Sequence, residues 1–354
     1  MRMVERGAFF CSHYTLNDAK SVAGRIFKSE HLPTFTGITN QDKSHINRAR
    51  FNLFALLIPV HDRKRALSEF VNVSREWNEL TGFHEEVEDY EAFFSNYLKI
   101  KRRENYIREY TREIFLYHIL NQALRRLNSP LDNFYIRLPF QDIFLAVLKL
   151  YHQQRDQGFR KDDFVCHRAC ILSEEEFESF SLNIEGYVQM EGFLSTSLEE
   201  EQVLINYKGY NKDTIIEIQV KANEFGGDLD YGFASIQHCS HIPKEKEVLF
   251  NPINIFKVHA CFQNQVRKYK GEDFEVKRVV VLEFGGFEGL VKRVHAGEAV
   301  EEMERKTIVN CLHQEKRLSG GFASQGQAIY ETGQYEQSYQ WSQRGLQYFQ
   351  QTED

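Results

Sequence analysis

"FVCHRACILSEEEFESF", residues 164–180, is the stretch at which the chain changes character. Its first part mixes branched, sulfur-bearing and charged side chains over a short span, as a half-buried strand does. Ser173 and the three glutamates after it then read as a helix start. The hydroxyl caps the first free N–H groups and the acids lie where the helix dipole favours them. Ahead of this stretch, residues 100–155 read as helix. "NYIREYTREIFLYHILNQALRRL" spaces Ile107, Tyr110, Ile114, Tyr117 and Leu120 by threes and fours, so one helix would present one apolar face. "SPLDN" reads as a turn, and "LPFQDIFLAVLKLYHQQ" as a second amphipathic helix. From 164 to 284, FVCHRACIL, GFLSTS, TIIEIQV, EVLFNP, INIFKVHACF and VKRVVVLEF read as strands, with turns at NKD, KANEFGGDLDYG and 265–275. Helices followed by strands predict an α+β fold.

The bulk composition sets the class. The chain has 354 residues, 42% hydrophobic and 27% charged, with 29 Phe and 17 Tyr to build a core. A net charge of −7 argues against a general nucleic-acid binder. No apolar run is long enough for a signal peptide or a membrane span, so no membrane partner is expected and the expected location is cytoplasmic. The six cysteines are scattered. Cys166 and Cys170 have no second Cys/His pair at zinc spacing, so no metal is expected and His167 beside them reads as incidental. "FGGFEGL" lacks the G-x-G-x-x-G spacing of a dinucleotide fold.

Three short features carry chemistry. Arg168 lies in the first strand, Ser195-Thr196-Ser197 ends another, and Glu245 and Glu247 alternate in "HIPKEKEVLFNP". Residues i and i+2 of an extended chain share a face, so both carboxylates would point at one site, with Lys244 and Lys246 pointing away. An arginine grips a phosphate with paired donors, and hydroxyls donate to and accept from a ribose or carboxamide. A carboxylate beside an anomeric carbon stabilises an oxocarbenium-like transition state, and a second one orients a nucleophile. Each feature alone has an ordinary reading: an ion-pair arginine, a helix cap on "LEEEQ", and a solvated charge alternation.

The order Arg, then F-x-S-T-S, then E-x-E resembles that of the arginine-directed mono-ADP-ribosyltransferases. "YTREIFLYHILNQALR" is similar to the helical segment before their core, "RACILSEEEFESF" to their arginine strand, and "FASIQHCSHIPKEKEVLFNPINIFKV" to their glutamate loop and strand. The resemblance implies an N-terminal helical layer, a split mixed β-sheet core that binds NAD as co-substrate, and ADP-ribose transfer to a protein acceptor with an exposed arginine. It implies that Glu247 is the catalytic glutamate, that Glu245 engages the acceptor guanidinium, and that Arg168 holds a phosphate. Ser195, supported by Thr196 and Ser197, would line the NAD pocket. NAD hydrolysis, or a weak NAD-binding interaction protein, are the alternatives. Ala169 stands where the family commonly has glycine, and its methyl would crowd a backbone near NAD. Ile242 stands where an aromatic is frequent. Phe193 and Leu194 read as core, and Asn121 as structural. The expected division is 1–94 without an assigned role, 95–288 transferase, 289–318 a connecting helix, and 319–354 one tetratricopeptide-like repeat ("GQAIYETGQYEQSYQWSQRGL") ending an α-helical tail, a place for a helix-mediated protein partner.

Overall fold

A computed structural model describes residues 35–37, 60, 62–81 and 90–284, without 113, 127–129, 158–161, 191, 222–231 and 253. The tail expected at 289–354, and most of the turn expected at KANEFGGDLDYG (residues 222–231), lie outside the described residues. Among the described residues, a short strand at Phe35–Gly37 is followed by five helices: α1 (Arg63–Thr81), α2 (Tyr90–Leu98), α3 (Glu104–Tyr110), α4 (Phe115–Arg126) and α5 (Pro130–Asp156). Leu67, Phe70 and Trp77 of α1 share one core with Phe93 of α2, Ile107 and Tyr110 of α3, Leu116 and Leu120 of α4, and Phe140 and Phe144 of α5. Helix α2 crosses residue 94 and joins the same core.

Two helical expectations need correction. The single helix read over 105–127 is broken between Tyr110 and Phe115, because Thr111 turns its hydroxyl to the carbonyl of Arg108 (3.2 Å) and accepts a bond from the sheet side of the molecule. The turn read at "SPLDN" is instead the first turn of α5. Pro130 occupies the first helical position, where its missing N–H costs nothing, and the 27-residue helix runs on through Pro139.

The strands β1 (Phe35–Gly37), β2 (Phe164–Cys170), β3 (Tyr187–Met190), β4 (Leu194–Ser197), β5 (Thr214–Val220), β6 (Phe233–Ser235), β7 (Glu247–Phe250), β8 (Ile255–Tyr269) and β9 (Glu272–Phe284) form one sheet in the order β1-β3-β8-β9-β5-β2-β4-β7-β6. Described pairings are antiparallel except β5 with β9. The sequence anticipated β5 in full; its β-branched residues are buried on both faces, as in a central strand. It did not anticipate the short strands β1, β3 and β6. Residues 265–275, read as a turn, are mostly strand: β8 and β9 form a long hairpin turning at Lys270 and Gly271, both at positive φ. Two helices interrupt the strands. Helix α6 (Glu174–Leu182) starts with the full capping box, Ser173 Oγ to Glu176 N and Glu176 Oε2 to Ser173 N. Helix α7 (Glu200–Gly209) packs Leu204 and Tyr207 against Ile215, Val279 and Val281.

The sheet is mixed and nearly divided. One residue pair, His167 with Ser197, joins β2 to β4, while β2 pairs with β5 over all seven residues. The strands diverge at this junction, and the residues singled out from sequence lie around it.

Candidate active site

Strand alternation puts the side chain of Arg168 on the sheet face opposite those of His167 and Ala169. From there Arg168 Nη1 donates to the carbonyl of Ser195, across the junction, at 2.8 Å. Burial opposes its charge, but the phenol of Tyr117, which hydrogen-bonds it, together with Cys170 and Tyr110, keeps its pKa above the ordinary arginine value. The guanidinium is therefore a permanent cation. Ala169 packs its methyl with Leu204, Tyr207 and Ile215 under α7. Its methyl thus lies on the sheet face opposite the Arg168 side chain.

Strand β4 lies between β2 and β7. Ser195 is half-buried. Thr196 is buried and donates to the Val248 carbonyl at 2.8 Å, fixing β4 to β7. Ser197 donates to the Glu245 carbonyl at 2.6 Å and accepts from Glu199 N at 3.0 Å. Its hydroxyl thus ties a turn. The N-cap of α7 is Glu199, which makes no side-chain cap, so the expected capping of "LEEEQ" by Ser197 is replaced by this turn.

Glu247 opens β7 opposite Ser197 and is 5% exposed. Its Oε2 accepts from Ser240 Oγ at 3.0 Å, and its carbonyl accepts from Ile236 N at 2.9 Å. Ser240 also accepts from Ile242 N at 3.2 Å. The loop that carries Ser240 is pinned to the helical layer, since His241 N donates to Thr111 Oγ1 at 2.8 Å. The break in the expected long helix thus positions the loop, and the loop positions the carboxylate's partner.

Glu245 is reached differently from the expectation. Pro243–Glu245 is a turn of 3-10 helix and Lys246 is left-handed (φ 43°), so the chain is not extended between the two glutamates. The shared-face argument from i, i+2 spacing does not apply. Glu245 is half-buried at the loop's end, where its carbonyl holds Ser197, and Lys246 turns outward to pair with Glu199. Ile242 is 38% exposed on the same loop.

Sequence reasoning read Tyr110 as one of an apolar helix face and Asn121 as structural, and missed that they join the helices to this junction. Tyr110, fully buried, senses the charge of both Arg168 and Glu247, and burial pushes its phenol well above the ordinary value. Asn121 donates to Tyr110 Oη at 2.7 Å and to the Tyr117 carbonyl at 3.1 Å, and accepts from Phe193 N at 3.1 Å. Phe193 packs on Tyr110 and Phe140 in the helical core, as its apolar character predicted. The available signal was the three-and-four spacing itself, which marks Tyr110 and Tyr117 as inward-facing but does not say toward what.

Chemically, the junction holds a permanent cation, a half-buried hydroxyl and a buried carboxylate on three consecutive strands. This donor set fits a nucleoside diphosphate joined to a reactive ribose: a cation for the phosphates, and a hydroxyl and carboxylate for the sugar.

No family model matches the chain, and no curated protein sequence matches it. Among solved structures, it is similar to the ADP-ribosyltransferase HopU1 of Pseudomonas syringae pv. tomato (13% identity, 77% of this chain and 99% of that one, TM-score 0.37). It is also similar to Plx2a, an ADP-ribosyltransferase toxin from Paenibacillus larvae (15%, 60% and 96%, TM-score 0.35), and to C3stau2 from S. aureus, solved with NAD (13%, 52% and 88%, TM-score 0.35). At TM-scores this low the likeness assigns no residue and no activity.

Proposed function

We propose that this protein transfers ADP-ribose from NAD to an arginine side chain of a protein acceptor, releasing nicotinamide. The observation that carries the reading is the junction. Arg168 and Glu247, 79 positions apart in the chain, flank the β4 serines on neighbouring strands, with Arg168 bonded directly to Ser195. In the reaction the bond from the ribose anomeric carbon to the nicotinamide nitrogen breaks, and its electron pair leaves with nicotinamide. The acceptor guanidinium nitrogen bonds to the same carbon and gives up a proton. Glu247 holds a ribose hydroxyl and stabilises the cationic transition state. Arg168 binds a phosphate, and Ser195 lines the pocket with Thr196 and Ser197 behind it. Glu245, on the more exposed loop, pairs with the acceptor guanidinium as a two-point fork. The chemistry asks for no metal ion.

A second reading replaces the arginine acceptor with water. Ile242 favours it: the exposed side chain on the acceptor side of the loop is aliphatic and offers no π face to a guanidinium. Glu247→Gln tests what the two readings share. The variant keeps an acceptor for Ser240 and is expected to fold, while nicotinamide release falls by about 10²–10⁴-fold. Near-normal release from a folded Glu247→Gln protein refutes both.

A further inference from the structure

On the sheet face opposite the Arg168 side chain, which the pairing of β2, β4 and β7 shares with Ser197 and Glu247, lies a second group of reactive side chains. His167 of β2 and Glu217 of β5 are register partners, and Glu200 comes from the first turn of α7. Each offers a ligand atom, and these atoms lie within 4.8 Å of one another. Arg267, on the β8 arm of the long hairpin, pairs with both carboxylates: with Glu200 at 3.5 Å and closely with Glu217. An ion-pair network accounts for the glutamates. It does not account for the imidazole Nδ1, which is buried with no hydrogen-bond partner, although the ring also meets the backbone of Ser197. It also leaves the group one negative charge in excess, two carboxylates against one guanidinium.

We propose that His167, Glu200 and Glu217 form a binding site for a divalent transition-metal ion, with Arg267 as the competing cation. The ligand set selects the ion class. Magnesium and calcium prefer all-oxygen shells, whereas one imidazole with two carboxylates suits zinc, cobalt or nickel. Two ligands of one such ion, each about 2 Å from it, are at most about 4 Å apart. Three ligands spread around one ion at that distance sit about 3.3–3.5 Å from one another, so the three donor atoms need to close by up to about 1.5 Å. Arg267 is the replaceable member: its side chain is 28% exposed, and it is carried by a hairpin arm instead of the core. A bound ion would join β2, β5 and α7, and so brace the strand that carries Arg168 and the turn that follows Ser197. It takes no part in the proposed transfer chemistry, and its presence or absence is measured without NAD.

The test is calorimetric titration of the full-length protein with Zn²⁺, alongside visible absorption of a Co²⁺ complex, which reports nitrogen and oxygen ligation. One equivalent is expected to bind. His167→Gln and Glu217→Gln should each weaken binding by about tenfold or more, and Arg267→Met should tighten it by removing the competitor. Zn²⁺ should raise the melting temperature of the parent protein and leave that of Glu217→Gln unchanged. If His167→Gln does not fold, Glu200→Gln carries the same expectation. No binding to either the parent or Arg267→Met overturns the proposal. So does binding of equal strength in the ligand variants, which would place the ion elsewhere among the chain's 13 histidines.

Discussion

Replacing Ser240 by alanine isolates what the loop does for the buried carboxylate. Ser240 touches Glu247 through one hydrogen bond of 3.0 Å, and its only other described side-chain bond accepts the N–H of Ile242 at 3.2 Å. The bond to Ile242 is local and half-buried, worth about 0.5–1.5 kcal/mol of loop order. The bond to Glu247 is of another kind: a hydrogen bond to an ionised group is worth about 1.5–3 kcal/mol. If Glu247 acts where charge develops on the ribose, losing the donor that orients it raises the barrier by up to that amount, a fall in kcat of about 10- to 150-fold. Because Ser240 acts through Glu247 and not on NAD, KM for NAD should stay within about threefold. Ser240→Thr, which keeps the hydroxyl, should recover most of the rate. The assay is steady-state nicotinamide release, with circular dichroism to confirm the fold. A kcat within twofold of the parent's, or a loss expressed wholly in KM, would refute the assignment of Ser240 as the residue that orients Glu247.

Three further outcomes follow from the same geometry. Glu245→Gln should lose transfer to an arginine analogue while retaining NAD hydrolysis; equal loss of both would show that the two glutamates do not divide the work. Asn121→Ala removes partners from the buried Phe193 N–H and from the Tyr110 hydroxyl, at about 1–3 kcal/mol for each, and should lower the thermal midpoint by several degrees; an unchanged midpoint would contradict the role given to Asn121. Glu69→Ala strips the buried guanidinium of Arg137 (6% exposed) of a carboxylate at 2.9 Å, at about 3–5 kcal/mol and roughly 6–20 °C of melting temperature. The double change Glu69→Leu with Arg137→Met should restore most of that loss, and a double variant as unstable as the single one would disprove the buried-charge explanation.

What was legible in the sequence follows from where the physics is local. Strand β5 shows as a run of branched residues, and α6 shows as Ser173 with Glu176, because both signals lie within a few adjacent residues. Arg168, the β4 serines and Glu247 were legible as strand residues for the same reason. The errors came from long-range contacts. The apolar period through "REYTREIF" is continuous, yet the helix breaks there, since Thr111 is drawn to His241, 130 residues away. Glu245 and Glu247 alternate in sequence as an extended chain would, but Pro243 sets a tight helical turn and Lys246 reverses it. Pro243 was the available warning. Ser240, a loop serine, carried no local signal, and Tyr110 carried only the spacing that marks it as inward-facing; the packing of helices on the sheet junction puts both under the influence of Glu247. His167 looked incidental beside two cysteines, because Glu200, Glu217 and Arg267 reach it only once the sheet, α7 and the hairpin are assembled.

The most direct test of the central reading is to incubate the purified full-length protein with NAD, with and without a free arginine analogue. Released nicotinamide is measured together with the mass of the analogue. The expected result is nicotinamide release with one ADP-ribose added to the analogue, both abolished in Glu247→Gln. Binding of NAD with no nicotinamide released, under either condition, would contradict it.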